Sequence, residues 1–301
     1  MQFLIGTVTK TPAIQSVLTT VTGEGGSPVA VFGMPDTARS VLSVAVEKAL
    51  KRSVFVITDT EATARKMAAD AVSLGAKAEV FPARDFNFLN MLGSSKEYEL
   101  SRIGILWRFI TGKTSIIFTD IEAFSEKTIS PEALKESALK ISVGDMVDVK
   151  QLSENLVNMG YDFTEQVDGM GQFSVRGGII DIFSAGELAP VRIELWGDEV
   201  DSMAYFDPTD QRRGDFCDEF TVLPAAEFAI NNFKLADVLT NLLETNALKS
   251  SSFKASVGRD IDDIKSGVNV NIDRYMDYLP NPCLFPKVLN ADPHVPLPPP
   301  E

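Results

Sequence analysis

The chain has little of the chemistry on which most catalytic and metal sites depend. Its 301 residues include one histidine, His294, and two cysteines, Cys217 and Cys283. A single histidine in a Pro-rich segment argues against a histidine-based metal site and against a Ser-His-Asp triad. The cysteines are far apart in the sequence, and in a cytoplasmic protein free thiols are expected rather than a disulfide. We therefore predict no metal site and no cofactor.

Long hydrophobic runs are also missing. No apolar run approaches the roughly 18 residues that cross a bilayer, and the N-terminus MQFLIGTVTK has no charged residue before its apolar ones, as a signal peptide would. The composition, 45% hydrophobic and 23% charged, is typical of soluble globular proteins. We expect a cytoplasmic protein of two or three small domains that has no membrane partner.

Basic charge is scarce in the middle of the chain. Residues 1–125 carry 13 Lys and Arg against 12 Asp and Glu, whereas residues 126–210 carry 6 against 17. The formal net charge of the whole chain is −14. A balance of −11 over residues 126–210 repels phosphate backbones. This segment is predicted to be a poor nucleic-acid binder and a plausible protein binder.

The first 125 residues alternate between short apolar runs and helical patterns. Such an order predicts an α/β domain with a mostly parallel sheet. The runs that predict buried strands are Pro28–Phe32, Ser53–Thr58, Ala78–Phe81 and Ser115–Thr119.

The segment Gly33–Ser40 occupies the place of a phosphate-binding loop, between a strand and a helix. That loop has the pattern G-x-x-x-x-G-K-[ST]. Gly33 and Ser40 match it, but Ala38 replaces the second glycine and Arg39 replaces the lysine. Pro35 also lacks an amide hydrogen that could hold a phosphate. We predict a degenerate loop that does not bind nucleotide.

Strict alternation marks the stretch Gly171–Asp207. A period of two is typical of half-buried strands, with turns at Gly177-Gly178 and Gly197-Asp198. We predict an antiparallel meander with one wet face. The residues predicted on that face are Arg176, Arg192, Glu194 and Trp196. An exposed Trp beside two Arg is usual for a binding surface.

The domain boundaries follow from shifts in composition. We predict an α/β domain over residues 1–125, a small α+β domain over residues 126–207, and a remainder over residues 208–301 that packs back on the first domain. Ser130-Pro131 resembles a helix start. The run Phe220–Pro224 is predicted to be a strand of the first sheet. The final ADPHVPLPPPE is Pro-rich and resembles the end of a truncated chain.

Several separated blocks, in the same order, resemble a known family. The blocks are FPARDFNFLNMLGSSKEYELSRIGILWRF, NMGYDFTEQVDGMGQFSVRGG, RGGIIDIF and VRIELWGDEVDSMAYFD. They are similar to the UvrB-like, N-terminal part of the bacterial transcription-repair coupling factors, also called Mfd, and to the excision-repair protein UvrB. The resemblance covers residues 29–227.

The resemblance implies a P-loop-NTPase-like fold with a degenerate loop and an inserted small domain. It further implies a non-catalytic adaptor that recruits UvrA for nucleotide excision repair. In the family a C-terminal region masks this surface, other domains engage RNA polymerase and DNA, and the full-length protein resembles an ATP-dependent DNA translocase.

The family binds UvrA through arginines and an aromatic residue of the small domain. Arg176 and Arg192 match the arginine positions, Phe183 matches the aromatic one, and Phe163 stands where a third arginine is expected. Trp196 is added because it belongs to the predicted wet face. The alternative is that Arg176 and Arg192 are solvated strand residues bonded to Glu194 or Asp181.

A second hypothesis is a UvrB-like nucleotide- or DNA-binding module. The degenerate loop opposes nucleotide binding. UvrB also carries a long tyrosine-rich hairpin that clamps DNA, whereas the corresponding span 84–96 contains Phe86 and Phe88 but no tyrosine. Bases could stack on those rings, but large apolar side chains are more often buried.

The charge distribution leads to a prediction about DNA. We expect at most weak, salt-sensitive binding to duplex or single-stranded DNA, because the segment 126–210 repels the phosphate backbone. A gel-shift titration at about 150 mM salt, near physiological ionic strength, is the measurement. Submicromolar affinity under that condition would contradict the prediction.

Overall fold

The computed structural model describes residues 6–7, 9–22, 28–84, 96–227, 232–245, 250–266, 270, 275 and 282–284. Contacts divide the chain into two units. The first comprises Met1–Tyr98, Gly104–Glu126 and Leu284–Glu301, and the second comprises Glu99–Ile103 and Lys127–Cys283. This division has no boundary near residue 207. Whether residues 126–207 fold as a domain of their own stays a prediction.

A parallel three-stranded sheet forms the centre of the first unit, in the order β1–β3–β2. Its strands are β1 (Val54–Thr58), β2 (Ala78–Phe81) and β3 (Ile116–Asp120). Its helices are α1 (Pro12–Thr22), α2 (Asp36–Leu50), α3 (Glu61–Ser73), α5 (Ile121–Ser125) and most of α4 (Lys96–Ile110). Buried side chains of α2, α3 and β3 form one core with strand residues such as Val54 and Val80 packed against it. Three of the four predicted strands are thereby confirmed.

The fourth predicted strand, Pro28–Phe32, is wrong. Residues 28–32 form no strand, and Val29, Val31 and Phe32 are exposed, Phe32 to 90%. A short apolar run states only that side chains favour burial. It carries no information on which strand the run would pair with, and in this structure residues 28–32 lie outside the sheet.

A six-stranded sheet dominates the second unit, in the order β11–β10–β9–β8–β7–β6. Its strands are β6 (Asp162–Phe163), β7 (Gln172–Arg176), β8 (Ile179–Ile182), β9 (Val191–Trp196), β10 (Glu199–Phe206) and β11 (Arg213–Phe216). The pairs from β7 to β11 are antiparallel, and β6 pairs with β7 in parallel. The predicted antiparallel meander is confirmed.

The remaining elements of the second unit are short strands and helices. The strands are β4 (Lys127–Ile129), β5 (Leu139–Ser142), β12 (Glu219–Val222) and β13 (Pro282–Leu284), and the helices are α6 (Pro131–Ser137), α7 (Val149–Asn158), α8 (Asn232–Glu244) and α9 (Ser251–Lys265). The helix start at Ser130 is confirmed, because its hydroxyl accepts a hydrogen bond from the Ala133 N–H and Pro131 is the first helical residue.

The predicted strand Phe220–Pro224 exists as β12, but its predicted place is wrong. It pairs antiparallel with β5, with Phe220 opposite Ile141, and not with the sheet of the first unit. This place agrees with burial, because Phe220, Val222 and Ile141 are all buried. Sequence alternation predicts a strand but not which strand it joins.

Within the meander, alternation separates two faces. The apolar face is buried and holds Phe173, Ile180, Ile182, Val191 and Ile193. The turns are tight, as predicted. Gly177 has a φ of 61°, and a Cβ on Gly178 would lie 3.2 Å from the Leu195 carbonyl oxygen. These turns fix the register, and the register fixes which side chains share the other face.

Parts of the sequence interpretation fall outside the described residues. These are the span with Phe86 and Phe88 and the Pro-rich segment with His294. Within the described part of the chain, none of the helices combines the length and the hydropathy that crossing a bilayer requires.

Within the second unit, a fully buried ion pair joins the part of α4 that belongs to this unit, Glu99–Ile103, to the segment after β12. Arg102 Nε donates to Glu227 Oε1 at 2.6 Å, and both side chains are inaccessible to solvent. The Glu227 N–H also donates to Glu99 Oε1 at 2.6 Å. Because a buried charge that loses its partner is costly, removing one member of this pair should cost more stability than removing one member of an exposed pair.

We predict that Glu227→Ala lowers the free energy of unfolding by about 3–5 kcal/mol, since it removes a hydrogen-bonded carboxylate from a fully buried guanidinium and opens a cavity. The matched control is Lys140→Ala, which breaks the Lys140–Glu219 pair of equal length, 2.6 Å, on the exposed surface. That change should cost at most about 1 kcal/mol. Urea denaturation of both variants is the measurement, and similar small losses in both would contradict the prediction.

Candidate partner-binding face

One face of the meander carries polar residues, as the alternation predicted. The register sets Asp181 opposite Arg192, and it sets Ile179 opposite both Arg176 and Glu194. Directly opposed residues project from the same face of a sheet. We call this the arginine face and define it as Arg176, Asp181, Arg192, Glu194 and Trp196. The predicted grouping of the two arginines, Glu194 and Trp196 is confirmed.

The centre of the arginine face is the carboxylate of Asp181, which has no solvent exposure. Its Oδ1 accepts from Arg192 Nε at 2.7 Å, and its Oδ2 accepts from Arg192 Nη2 at 2.8 Å and Arg176 Nη2 at 2.6 Å. Charge-assisted bonds of this kind compensate a buried anion. Of the two ion-pair partners considered from the sequence, Asp181 is therefore the one that the arginines bind.

Arg192 is held from several sides. Its side chain is 17% exposed, and its guanidinium carbon lies 4.5 Å from the centroid of the Phe206 ring. The hydrogen bonds to Asp181 raise the pKa of the Arg192 guanidinium above its usual value. Its Nη2 also donates to Gln211 Oε1 at 3.1 Å. Arg192 is thus bonded to Asp181, as the alternative interpretation named, but it is a fixed and largely buried cation rather than a solvated one.

Arg176 is the more accessible of the two arginines, with 44% of its side chain exposed. Besides its bond to Asp181, its Nη1 donates to the Glu165 carbonyl oxygen at 3.2 Å. Part of the guanidinium still faces solvent. Arg176 can therefore donate to an approaching acceptor without giving up its bond to Asp181.

Beyond the two arginines, the face continues into exposed aromatic and charged groups. Trp196 is 82% exposed. Glu194 forms an ion pair with Arg213, whose guanidinium carbon lies 5.6 Å from the centroid of the exposed Phe216 ring. Ser202 Oγ donates to Glu194 Oε2 at 3.2 Å. Exposed aromatics beside arginines are the residue types that dominate interface energies.

Sequence reasoning missed three residues of this neighbourhood. Gln211, Arg213 and Phe216 lie beyond residue 207, where the predicted small domain ends. Their place depends on β11, which joins the sheet at β10, with Ala204 opposite Phe216 and a register shift before Phe206. An irregular four-residue strand leaves no alternation long enough to detect.

Phe183, the aromatic residue carried over from the family, lies in the interior. It is 7% exposed and packs with Val167 and Phe206 in a cluster that Met170 helps to cover. A ring this buried offers almost no surface to a partner, so we leave it out of the proposed contact. Phe163, at the position where a third arginine is expected, is exposed and meets the Phe173 ring edge to face at 5.4 Å.

The segment Gly33–Ser40 lies in the first unit. Its first three residues precede α2, and the rest, from Asp36, form the start of that helix. Gly33 has a φ of 73°, and Pro35 caps the helix without a side-chain hydrogen bond. Asp36 lies in the first turn, with its carboxylate 3.8 Å from Arg39 Nη1 and 3.5 Å from Lys66 Nζ. The Asp36 carboxylate thus lies beside the two cations and the helix N-terminus that would otherwise attract a phosphate.

Ala38 and Ser40 complete this segment. Ala38 carries the Cβ that the second glycine of a phosphate loop would lack, and its N–H bonds to the Pro35 carbonyl at 3.0 Å. Ser40 is fully buried, and its hydroxyl donates to Asp70 Oδ2 at 3.2 Å. The hydroxyl is therefore engaged inside the protein. A hollow of about 350 Å³ at the end of β1 is lined by Arg39 and Asp59 among others.

No group of three or more His, Cys, Asp or Glu side chains that could hold a metal ion occurs among the described residues. The arginine face offers hydrogen-bond donors and aromatic surface, which suit recognition of another protein.

Comparison with known proteins points in the same direction. Residues 139–228 match the family model of the UvrB interaction domain. The transcription-repair-coupling factor of Bacillus subtilis (strain 168) is 30% identical over 240 residues, which are 79% of this chain and 20% of that protein. Those of Staphylococcus haemolyticus (strain JCSC1435) and Staphylococcus aureus (strain bovine RF122 / ET3-1) are 30% and 26% identical over 72% and 84% of the chain, and 18% and 22% of those proteins.

This chain is related to the bacterial transcription-repair coupling factors. The resemblance stated from the sequence is thereby confirmed. The chain spans about a fifth of the length of these coupling factors. The matched UvrB interaction domain contains every residue of the arginine face, together with Gln211, Arg213 and Phe216. The P-loop-like character of the first unit stays a prediction.

For this coupling-factor relative we predict no binding of Mg-ATP near physiological concentration and no hydrolysis. The phosphate position lacks the loop lysine, and the Asp36 carboxylate repels a polyphosphate there. Calorimetric titration with Mg-ATP is the measurement. Saturable binding in the micromolar range would contradict the prediction.

Proposed function

We propose that this chain is a non-catalytic adaptor module of transcription-coupled nucleotide excision repair, which recruits UvrA through the arginine face. The observation that carries the proposal is the position of the arginine face inside the part of the chain that matches an interaction domain. The family model of an interaction domain covers residues 139–228, and the arginine face lies wholly within them.

The chemistry of the face suits a partner with carboxylates or carbonyl oxygens beside apolar surface. Arg176 presents a partly exposed side chain, Trp196 presents an apolar ring with one N–H donor, and Arg192 is fixed on the same face by Asp181. Arginine and tryptophan are enriched among the residues that dominate binding energy. Side chains that are already ordered lose less conformational entropy when a partner binds.

The alternative, a nucleotide- or DNA-binding module of UvrB type, has less support. Asp36 neutralises the cations at the degenerate loop. The net charge of −11 over residues 126–210 opposes a phosphate backbone. Both observations favour a protein partner for this part of the chain.

Activities of the whole relatives belong to this proposal only as context, because the chain spans about a fifth of their length. We propose that in a longer protein other domains engage RNA polymerase and DNA, and that a C-terminal region covers the arginine face until UvrA is needed. UvrA is then the partner that competes for the face.

The contacts of the two arginines decide which variants make clean tests. A charge reversal at Arg192 would set two carboxylates together beside the buried Asp181. Such a variant should lose stability as well as binding, because a buried charge without a partner is costly. Arg176→Ala and Trp196→Ala are cleaner, since both side chains are substantially exposed.

We predict that Arg176→Ala and Trp196→Ala each weaken UvrA binding by about 2 kcal/mol or more, the range of central interface residues. Affinity for purified UvrA and the melting temperature should be measured on the same samples. The matched controls are Arg65→Ala and Phe32→Ala, which remove an exposed arginine and an exposed aromatic ring from the first unit. Unchanged affinity in both test variants, or equal losses in the controls, would remove the arginine face from the proposal.

A further inference from the structure

Gln211 has an unusual backbone conformation for its residue type. Its φ is 62°, in the left-handed region that glycine, asparagine and aspartate tolerate best. Within the described ranges, Lys51 is the one other non-glycine residue with a positive φ, and it caps the end of α2. A strained residue persists when surrounding contacts over-determine it, and such strain is concentrated at functional sites.

The contacts that hold Gln211 are specific. Its N–H donates to the Asp207 carbonyl at 2.8 Å. Its Nε2 donates to the Val167 carbonyl at 3.1 Å and to the Pro208 carbonyl at 2.9 Å. With both Nε2 hydrogens used, the amide can take one orientation only, and Oε1 points at Arg192.

The orientation of the Gln211 amide determines which donors of Arg192 are used within the chain. A guanidinium has five N–H donors in a planar fork. Nε and one Nη2 hydrogen of Arg192 bind Asp181, and the second Nη2 hydrogen binds Gln211 Oε1. Nη1 makes no hydrogen bond to the described part of the chain, so its two donors remain for an acceptor from outside.

We propose that Gln211 is a positioning residue, which fixes the Arg192 guanidinium so that Nη1 faces the bound partner. The inference rests on the proposed function. Asp181 alone could accept from either edge of the fork, through Nε and Nη2 or through Nη1 and Nη2. The Gln211 oxygen selects the first arrangement, because it satisfies the remaining Nη2 hydrogen only there.

The test uses Gln211→Asn, because asparagine tolerates a left-handed φ but its side chain is one methylene too short for these contacts. We expect the affinity for UvrA to fall about tenfold, as for loss of one hydrogen bond to a charged group. The control is Arg212→Ala at the neighbouring, exposed residue, which should leave the affinity unchanged. The ¹⁵N resonance of Arg192 Nε should broaden in Gln211→Asn, a readout that a purely structural role would not change.

A double-mutant cycle assigns the mechanism. Gln211→Asn is combined with Arg192→Ala, and with Arg192→Lys in case the loss of charge beside Asp181 prevents folding. If Gln211 acts through Arg192, Gln211→Asn adds no further loss in either background. Melting temperatures of all variants show whether each one is folded at the temperature of measurement.

The outcomes separate this inference from the proposed function. If Arg192→Ala and Arg192→Lys both keep full affinity, Arg192 does not contact UvrA and the inference about Gln211 is overturned, whereas the Arg176 and Trp196 variants decide whether the proposed surface stands. If they lose affinity while Gln211→Asn keeps it, the positioning role is overturned and the proposed function stands. An equal loss from Gln211→Asn in every background would also overturn it, since Gln211 would then act without Arg192.

Discussion

The buried carboxylate of Asp181 is the constraint around which the proposed binding surface is organised. A charge without solvent exposure must be compensated by charge and by hydrogen bonds. Here two arginines supply both, one from β7 and one from β9, the strands on either side of β8. Their positions follow from the sheet register, and a slip of one residue would turn either arginine to the apolar face. The requirement that stabilises the sheet therefore also orders the surface.

The side of the sheet that carries the arginine face is part core and part surface. At one end Val167, Phe183 and Phe206 form a small apolar cluster, and at the other end Trp196 is exposed. Arg192 lies between them, over the Phe206 ring. An arginine in this position keeps a low-entropy conformation and still reaches the surface, which is the combination that a central interface residue needs.

Local charge and overall charge have opposite signs here. Residues 126–210 are strongly acidic, yet the exposed donors of the arginine face are guanidinium groups. The overall field opposes the approach of a phosphate backbone, whereas the arginines act at contact distance. A face of this kind selects partners by short-range geometry rather than by net charge, which favours a protein over a phosphate backbone.

Several features could be predicted from the sequence because their physics is local. Alternation set Arg176, Arg192 and Trp196 on one face, since side chains of a strand project with a period of two. Other features depend on the tertiary structure. Residues 28–32 and Phe183 have the same hydrophobic character, but one lies outside a sheet and the other lies in a core. The choice of Asp181 over Glu194 as the partner that both arginines share, and the place of Gln211 beside Arg192, depend on strand order and on β11. No local pattern encodes these, because pairing between distant segments is decided by the burial that the whole unit can achieve.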